Sequence, residues 1–504
     1  MTLATLLVEH PFPDDAPLLH SPDTTLSAGA ARRDARAVAA RLRAAGVGPG
    51  HAVAVQLPGG PGAITAMFGV WLAGAVFVPV NPRSPAGELR TILEATRPAV
   101  LLTGTASEGN GPELLPEARV YDPGVAFVTW TSGTTGAPKP VLHTHVNYLE
   151  LLDRVLAPLR GSRPKGDADR RPTPNLVPVS LALNAGIYNV LFGLRAGAEV
   201  VVMDRFDPRT FADLVGRFSI RSTVLPPAAM TMLSDDPTVV DLAPLRYVRS
   251  ITAPLSPLQA RRFAAKFGVV VLNGYGQAEI GEVIGWTAAD AREHPDKLGA
   301  VGRPHPGVSI KIAPEPDGAA AEPTGRKDPD DRPTGEGGGA RATHEERAAA
   351  EPTNQIGRLL VRPPSTAVGI AADRVDAEGY IDTGDLARVD DDGFVWIEGR
   401  AGDVINRGGN KVFPEHVEEV LRLVPGVTEA AVAGVRDERL GEVPVAYIVT
   451  AFEVSDDNLV EVCRAHLAPY KIPVAFRRVA ALPRSEVGKV LRRELAQLQP
   501  EPPS

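Results

Sequence analysis

A predicted β-strand over residues 126–131 runs into a loop of small and hydroxylated residues. The sequence reads Thr129-Trp130-Thr131-Ser132-Gly133-Thr134-Thr135-Gly136-Ala137-Pro138-Lys139. Small residues allow backbone amides to converge, and the hydroxyls and the lysine suit phosphate oxygens. The loop is not a Walker A motif, because two residues separate its glycines and Pro140 follows Lys139. A solvated turn is the alternative, but the density of such residues after an apolar strand favours phosphate binding.

Apolar strands and helices alternate on both sides of this loop. The strand candidates are 53–57, 76–80, 99–103, 199–203, 222–225 and 269–272, and the helix candidates include 33–45, 147–156, 208–217 and 257–267. Continuously apolar strands that alternate with helices are typical of parallel sheets covered on both faces. The sequence therefore predicts an α/β fold of parallel-rich sheets covered by helices.

Composition excludes several classes of protein. The 504 residues carry a net charge of −8, which argues against nucleic acid or an anionic membrane as the main partner. One cysteine, Cys463, rules out an internal disulfide or a cysteine-based zinc cluster, and it shares a helical stripe with Leu459 and Leu467. The longest uncharged run, 52–82, is interrupted by glycine and proline and contains no spanning segment. Residues 1–8 lack the basic flank of a secretory signal, and we expect a cytoplasmic protein.

The excess of 49 glycines and 48 prolines is partly concentrated in one segment. Residues 314–354 contain no aromatic residue, valine, isoleucine or leucine, so they cannot bury enough apolar surface to fold. We predict a disordered insertion between strands at 308–312 and 357–361; a functional lid is the alternative. The pattern changes again after Gly399, and the expected domains are 1–399, which includes a small β subdomain, and a small mobile α+β domain at 400–504.

Five motifs occur in an order that resembles the adenylate-forming superfamily, and in particular its AMP-dependent acyl-CoA synthetases. The loop at 129–139 is similar to the family's phosphate loop, and 275–279 (Tyr-Gly-Gln-Ala-Glu) to its YGxTE segment. Residues 380–385 resemble its Y-x-x-TGD segment, and 483–489 its P-x-x-x-x-GK segment. Gly399-Arg400 is similar to the pair at the domain junction. The likeness extends from about residue 25 to about residue 495.

The resemblance implies ATP, Mg²⁺ and coenzyme A as cofactors and co-substrate. Lys489 would bridge the substrate carboxylate and the α-phosphate, and Glu279, with Thr131, would hold Mg²⁺. Tyr275 would stack on adenine, and Asp385 would accept hydrogen bonds from the ribose, with Arg400 as a nearby donor. The implied nucleotide-binding residues are Thr131, Ser132, Gly133, Thr134, Thr135, Gly136, Lys139, Thr252, Ala253, Asn273, Gly274, Tyr275, Gly276, Ala278, Asp385, Ile397 and Arg400.

The resemblance also implies an acyl pocket and a thiol tunnel. The acyl pocket would be formed by Leu183, Asn184, Gly186 and Gly274. Asn184 falls where amino-acid-activating relatives carry an aspartate, so the expected partner is a carboxylic acid without an α-amine. Gly408, Gly409 and Asn410 would face the tunnel for coenzyme A, and Gly402 lies at the expected hinge between the domains.

Four positions depart from the family pattern. Ala278 replaces the usual threonine, and Ile251 and Thr252 replace small residues beside adenine, which could weaken ATP binding. Gly402 stands where a hinge aspartate or lysine is common, and Leu183 where a gating histidine or aromatic residue is common. We still expect activity, because Lys489, Glu279 and Asp385 are present. The alternatives are an enzyme that loads a separate carrier protein and a ligand-binding homologue without turnover.

Two further patterns have structural interpretations. His143 and His145 could share one face of a strand, but two histidines without a third ligand are more often structural, and no transition metal is assigned. Residues 390–392, three aspartates, lack the downstream glutamate of a calcium loop and predict a tight hairpin turn. The expected function is an ATP-dependent carboxylic acid–CoA ligase.

Overall fold

A computed structural model describes residues 1–104, 113–115, 117–131, 139–161, 172–250, 252–314, 353–364, 374–484, 490–495 and 497–498. Residues 132–136, Ile251 and Lys489, which the sequence places in the active site, lie outside the described residues. The same is true of 315–352, the main part of the predicted insertion. Of Thr131 and Lys139, which end and begin strands, only the backbone is described.

All four helices predicted above form, and two of them have the expected bounds. Pro208–Arg217 and Pro257–Phe267 are helical as predicted, the first capped by Asp207, whose side chain accepts from the amide of Thr210. The helices are α1 (Thr5–Val8), α2 (Ala28–Ala44), α3 (Pro61–Leu72), α4 (Ala86–Thr96), α5 (His145–Gly161), α6 (Asn184–Arg195), α7 (Pro208–Arg217), α8 (Pro227–Asp235), α9 (Pro257–Phe267), α10 (Ala288–Glu293), α11 (Pro414–Leu421), α12 (Asp456–His466) and α13 (Arg492–Leu495). Among the described residues, no helix has the length and apolarity needed to cross a bilayer.

Three sheets with parallel pairing form the first part of the chain. The largest contains β3 (Ala52–Val55), β4 (Val76–Pro79), β5 (Val100–Leu102), β6 (Glu113–Leu114), β7 (Val125–Thr131) and β8 (Lys139–Thr144). Its strand order is β6-β5-β3-β4-β7-β8, with parallel pairs at the centre and an antiparallel pair at each edge. A second sheet, β2-β1-β10-β9, contains β1 (Pro17–His20), β2 (Thr25–Ser27), β9 (Asn175–Val177) and β10 (Val200–Val202). The third is wholly parallel and contains β11 (Ser222–Leu225), β12 (Tyr247–Ser250) and β13 (Val270–Leu272). The predicted α/β class is confirmed.

Two antiparallel sheets form the small β part that the sequence predicts. The first contains β14 (Gly274–Gln277), β15 (Gly281–Gly285) and β16 (Arg303–Pro304). The second contains β17 (Ser309–Ala313), β18 (Thr353–Arg362), β19 (Ile381–Val389) and β20 (Val395–Arg400). The strands that flank the predicted insertion, β17 and β18, pair with each other, so the insertion joins adjacent antiparallel strands.

The elements after Arg400 form a sheet and a core of their own. The sheet contains β21 (Ile405–Arg407), β22 (Asn410–Val412), β23 (Val427–Asp437), β24 (Gly441–Thr450) and β25 (Ala475–Arg478). Its strand order is β22-β21-β24-β23, and β25 also pairs with β24. Ser455 caps α12 as predicted, and Cys463 and Leu459 are buried in the core between this sheet and α11 and α12. Burial raises the pKa of Cys463 to about 11, which suits a packing role. This α+β organisation supports a separate C-terminal domain.

Candidate active site

Three residues from separate motifs meet at the small β sheets. Strand β19 carries Asp385, and its register partner on β20 is Arg400, whose Nε lies 2.8 Å from Asp385 Oδ1. The hydroxyl of Tyr275, on β14, donates to Asp385 Oδ2 at 2.5 Å, and the amide of Gln277 donates to the same oxygen at 3.1 Å. Burial, followed by the charge of Asp385, raises the pKa of Tyr275 well above its usual value. These contacts fix the carboxylate before any ligand binds.

Glu279, the predicted Mg²⁺ ligand, is paired with an arginine that belongs to no motif. Nη1 of Arg374 donates to Glu279 Oε1 at 2.9 Å, and Nη2 donates to Gln277 Oε1 and to the carbonyl of Asp382, each at 3.1 Å. Within the described part of the chain, no donor contacts Glu279 Oε2. One hard carboxylate oxygen is therefore open to a cation, which fits Mg²⁺.

Sequence reasoning missed Arg374. Arg374 lies six residues before Tyr380, the first residue of the predicted Y-x-x-TGD segment, and no spacing rule connects it to Glu279. The contact exists because Asp382, on β19, places its carbonyl beside the hairpin that carries Glu279. Only the folded chain brings these segments together.

A pocket opens beside Glu279, between α5, the start of α6 and the turn after β14. The hydroxyl of Tyr148 donates to Asn184 Oδ1 at 2.8 Å, and this pair forms one wall. The lining residues are His143, Thr144, Asn147, Tyr148, Leu151, Asn184, Ala278, Glu279, Ile280 and Gly281. Asn184 and Glu279, predicted for the acyl and metal sites, therefore line one cavity.

The other residues predicted for the acyl pocket occupy different positions. Leu183 is the N-cap residue of α6, and Gly186 lies one turn further on. A Cβ at Gly186 would lie 2.1 Å from the carbonyl oxygen of Ser180, so close packing against that turn requires glycine there. Gly274, on β14, pairs with Gly285 on β15. None of these three residues lines the cavity beside Glu279.

Other residues predicted to contact the nucleotide have defined local roles. Asn273 Nδ2 donates to the carbonyl of Ala300 at 3.3 Å, and its Oδ1 accepts from the amide of Gly274. A Cβ at Gly276 would lie 2.1 Å from the carbonyl oxygen of Gly281, so the hairpin itself requires glycine. Ile397 packs in the same apolar cluster as the ring of Tyr275.

The loop after β12 contains an unusual backbone conformation. Thr252 has a φ of +73°, in the left-handed region, and its side chain is exposed. A β-branched residue is unfavourable there, which is a physical reason why small residues suit this position. The φ of Ala253, the next residue, is not positive.

The glycines predicted for the thiol tunnel form a turn. Gly408 and Gly409 have φ values of +57° and +86°, and they connect β21 to β22 through the closing pair Arg407 and Asn410. Two consecutive positive φ values favour glycine, so the turn alone explains both residues. Gly402 lies in a short 3₁₀ turn and has open space around its Cα. Their roles toward coenzyme A and domain rotation stay predictions.

His143 and His145 do not lie on one face of a strand, as their spacing in the sequence had suggested they could. His143 lies on β8 and its Nε2 is 2.8 Å from Thr129 Oγ1, whereas His145 is the first residue of α5 and its Nδ1 accepts from the amide of Leu3. Burial lowers the pKa of His143 to about 3 and that of His145 to about 4, so both are neutral at pH 7. The turn between β19 and β20 is the predicted hairpin, in which Asp390 accepts from two turn amides.

Sequence and structure comparisons agree with one another. Residues 9–122 and 115–329 match the AMP-binding enzyme family, and 416–489 match the AMP-binding enzyme C-terminal domain. The sulfoacetate–CoA ligase of Cupriavidus necator is 30% identical over 95% of this chain and 94% of its own length. The 4-coumarate–CoA ligase-like 9 of Oryza sativa is 30% identical over 93% of this chain and 86% of its own length. The o-succinylbenzoate CoA synthetase MenE of Bacillus subtilis, solved with the acyl-adenylate OSB-AMP, has a TM-score of 0.78 at 23% identity and covers 99% of each chain.

Proposed function

The chain belongs to the AMP-binding enzyme family, and we propose that it is an ATP-dependent carboxylic acid–CoA ligase that acts through an acyl-adenylate and releases pyrophosphate and AMP. The observation that carries the proposal is the meeting of Tyr275, Asp385 and Arg400, from three motifs, beside Glu279. The two relatives at 30% identity are CoA ligases and match nearly the whole chain, which supports the same reaction class. Residues 1–399 form the adenylation domain and 400–504 the mobile small domain.

In the first half-reaction, a carboxylate oxygen attacks the α-phosphorus of ATP. The new O–P bond forms as the bond to pyrophosphate breaks, and no nucleophilic side chain is needed. Asp385, held by Arg400 and Tyr275, accepts the ribose hydroxyls and so fixes the α-phosphate relative to the acid. Lys489 stabilises the negative charge that develops between the two anions. The loop at 131–139 supplies amides and hydroxyls to the phosphates.

Mg²⁺ would be held by Glu279, through its open Oε2, and by Thr131. When bound, it neutralises charge on the phosphate oxygens of ATP. Arg374 holds the other oxygen of Glu279 and keeps the carboxylate oriented toward the pocket that Asn184 lines. This ion pair makes the position of Glu279 independent of the metal.

In the second half-reaction, the thiol of coenzyme A attacks the acyl carbonyl and AMP leaves with the electrons of the acyl–oxygen bond. The small domain rotates at Gly402, and the turn formed by Gly408, Gly409 and Asn410 faces the pantetheine arm. The open surroundings of Gly402 permit that rotation. We place the protein in the cytoplasm, where ATP and coenzyme A are available.

The acid substrate lacks an α-amine. Asn184 is neutral and its carboxamide oxygen already accepts from Tyr148, so this wall of the pocket offers no carboxylate to an ammonium group. An α-ammonium beside Asn184 would meet no carboxylate on that wall, since Glu279, the acidic residue of the same cavity, is assigned to Mg²⁺, and burying an unpaired charge is costly. Simple carboxylic acids carry no such cost.

The test is an acid panel with ATP and either coenzyme A or a carrier protein, read out as pyrophosphate and thioester. We expect acid-dependent pyrophosphate release and a CoA thioester. Lys489→Ala should reduce adenylation by several orders of magnitude without unfolding the chain, whereas the control Lys471→Ala, at a partly exposed lysine of the same domain, should not. Thioester formed only on the carrier, or no pyrophosphate with any acid, would contradict the proposal.

A further inference from the structure

Three charged or polar side chains cluster around Glu282 on the β14–β15 hairpin, and no motif includes them. The guanidinium of Arg249, on β12, donates through Nη1 to Glu282 Oε1, and Nε2 of His305 lies 3.1 Å from the same oxygen. Nη2 of Arg249 also donates to the carbonyl of Trp286 at 3.3 Å. We call Arg249, Glu282 and His305 the hairpin cluster.

The hairpin cluster keeps hydrogen-bonding capacity that the described residues do not use. Burial alone would raise the pKa of Glu282, but Arg249 and His305 outweigh burial and lower it, so the carboxylate is charged at pH 7. No residue in the described ranges donates to Glu282 Oε2. Arg249 has five N–H donors, of which two contact the protein in the same ranges. Both side chains are partly accessible, at 31% for Arg249 and 21% for Glu282.

The hairpin cluster adjoins Gly274, one of the residues that the sequence predicts for the acyl pocket. A Cβ at Gly274 would lie 3.1 Å from Glu282 Oε1, and one at Gly285 would lie 2.7 Å from Glu282 Oε1 and 3.0 Å from Nη1 of Arg249. The absence of side chains at these two paired glycines leaves the charged groups uncovered on that face of the hairpin.

Strand β15 connects the hairpin cluster to the pocket beside Glu279, because Gly281, which lines that pocket, immediately precedes Glu282. On the other side of the pocket, Tyr188 lies one turn after Asn184 on α6. Its ring centroid is 6.4 Å from that of Tyr148, which binds Asn184. The pocket and the hairpin cluster are therefore adjacent along β15.

We propose that Arg249, Glu282 and His305 determine acid specificity, and that the substrate carries a neutral polar group, an amide or a hydroxyl, at the end away from its reacting carboxylate. The inference rests on the proposed ligase function. A group that both donates and accepts satisfies Glu282 Oε2 and Arg249 together. An alkyl end would offer no hydrogen bond to Glu282 Oε2 or to the remaining N–H donors of Arg249, and a second carboxylate would face the charge of Glu282.

The test compares matched acids of equal chain length that differ only at the far end. Each of three chain lengths carries a terminal carboxamide, a terminal carboxylate or an isopropyl group, as in glutaramate, glutarate and 5-methylhexanoate. We expect kcat/KM for the best carboxamide to exceed those of its two isosteres by about tenfold or more, since the hydrogen bonds involve charged groups. An equal or higher value for the isopropyl or carboxylate acid would overturn the inference.

A charge-removing variant separates specific recognition from a structural role. Glu282→Gln leaves Arg249 without its counter-charge, so the preference should move from the carboxamide to the carboxylate isostere, by about tenfold in the ratio of kcat/KM values. The matched control Glu378→Gln removes an exposed carboxylate that pairs with Lys311. Its ratio of kcat/KM for the carboxamide to kcat/KM for the carboxylate acid should equal that of the native protein.

The outcomes distinguish the two proposals. If pyrophosphate and CoA thioester form but Glu282→Gln does not change the ratio of kcat/KM values for the carboxamide and the carboxylate acid, the specificity assignment is wrong and the ligase function stands. If no acid supports pyrophosphate release, the ligase function is wrong, and the inference fails with it. The comparison within native protein does not depend on whether the variant folds.

Discussion

The nucleotide side of the site and its acyl side are built in different ways. On the nucleotide side, Tyr275, Asp385 and Arg400 lie on neighbouring strands, and strand register alone sets Arg400 opposite Asp385. On the proposed acyl side, Tyr148 of α5 and Asn184 of α6 meet through helix packing, and Glu282 of β15 contacts Arg249 and His305. A pattern read along the chain therefore identifies the first group, whereas the second depends on how helices pack against the hairpin.

The largest effect is expected on the nucleotide side. Asp385→Asn keeps the side chain's size but removes the charge that pairs with Arg400 and would accept the ribose hydroxyls. We expect kcat/KM for ATP to fall by about 100-fold, since hydrogen bonds to charged groups are lost, while KM for the acid stays within about twofold. Pyrophosphate release measured against ATP and against acid concentration gives both values.

The reciprocal control lies on the acyl side. Tyr148→Phe removes one hydrogen bond to Asn184 and should raise KM for the acid by about fivefold with KM for ATP unchanged. If either variant changes the kinetic constants for ATP and for the acid equally, the two sides are not energetically separate, and the contrast between them does not hold.

A smaller effect is expected where the two sides meet, at Glu279. Arg374→Met frees Glu279 Oε1, and an uncompensated carboxylate attracts cations more strongly. The Mg²⁺ concentration for half-maximal activity should fall by about fivefold, and thermal unfolding of the ATP-bound protein should shift at lower Mg²⁺. Arg362→Met is the control, because Arg362 contacts only the Glu378 carbonyl and the Tyr380 ring among described residues. A higher Mg²⁺ requirement in Arg374→Met would contradict this competition.

The smallest effect concerns strain on the nucleotide side. Thr252→Gly relieves a left-handed conformation that costs a β-branched residue about 1–2 kcal/mol, partly offset by the greater unfolded-state entropy of glycine. We expect a net stabilisation of about 1 kcal/mol in urea unfolding. Ala253→Gly, at the next residue, should destabilise instead. Loss of stability in Thr252→Gly would mean that the exposed threonine side chain makes stabilising contacts.

Fold elements with strong local signals could be predicted from the sequence. Helix α7 begins and ends as predicted because Asp207 caps it and Pro208 starts it. Helix α2 begins five residues before the predicted start, since Ser27 accepts from the amide of Ala30 and the first turn is rich in alanine and glycine, which give no apolar periodicity. Weak periodicity, rather than a wrong element type, accounts for that difference.

Contacts between distant elements could not be predicted. Glu398, at the end of β20, pairs with His416 of α11 at 2.9 Å, across the predicted domain boundary. Burial would raise the pKa of Glu398, but His416 and Arg388 lower it, so the carboxylate is charged in this arrangement. Neither residue belongs to a motif, and their approach depends on the docking of α11 against the end of a strand.

The sequence by itself determined the α/β class and the family, and it predicts the residues of the nucleotide side, because ordered motifs and strand periodicity are local properties of the chain. The comparisons confirm the family and the fold. The tertiary structure alone decided that Arg374 holds Glu279, that Tyr148 orients Asn184, and that Arg249 and His305 converge on Glu282. These side chains are far apart in sequence, and only the packing of whole strands, loops and helices against one another brings them within hydrogen-bonding distance.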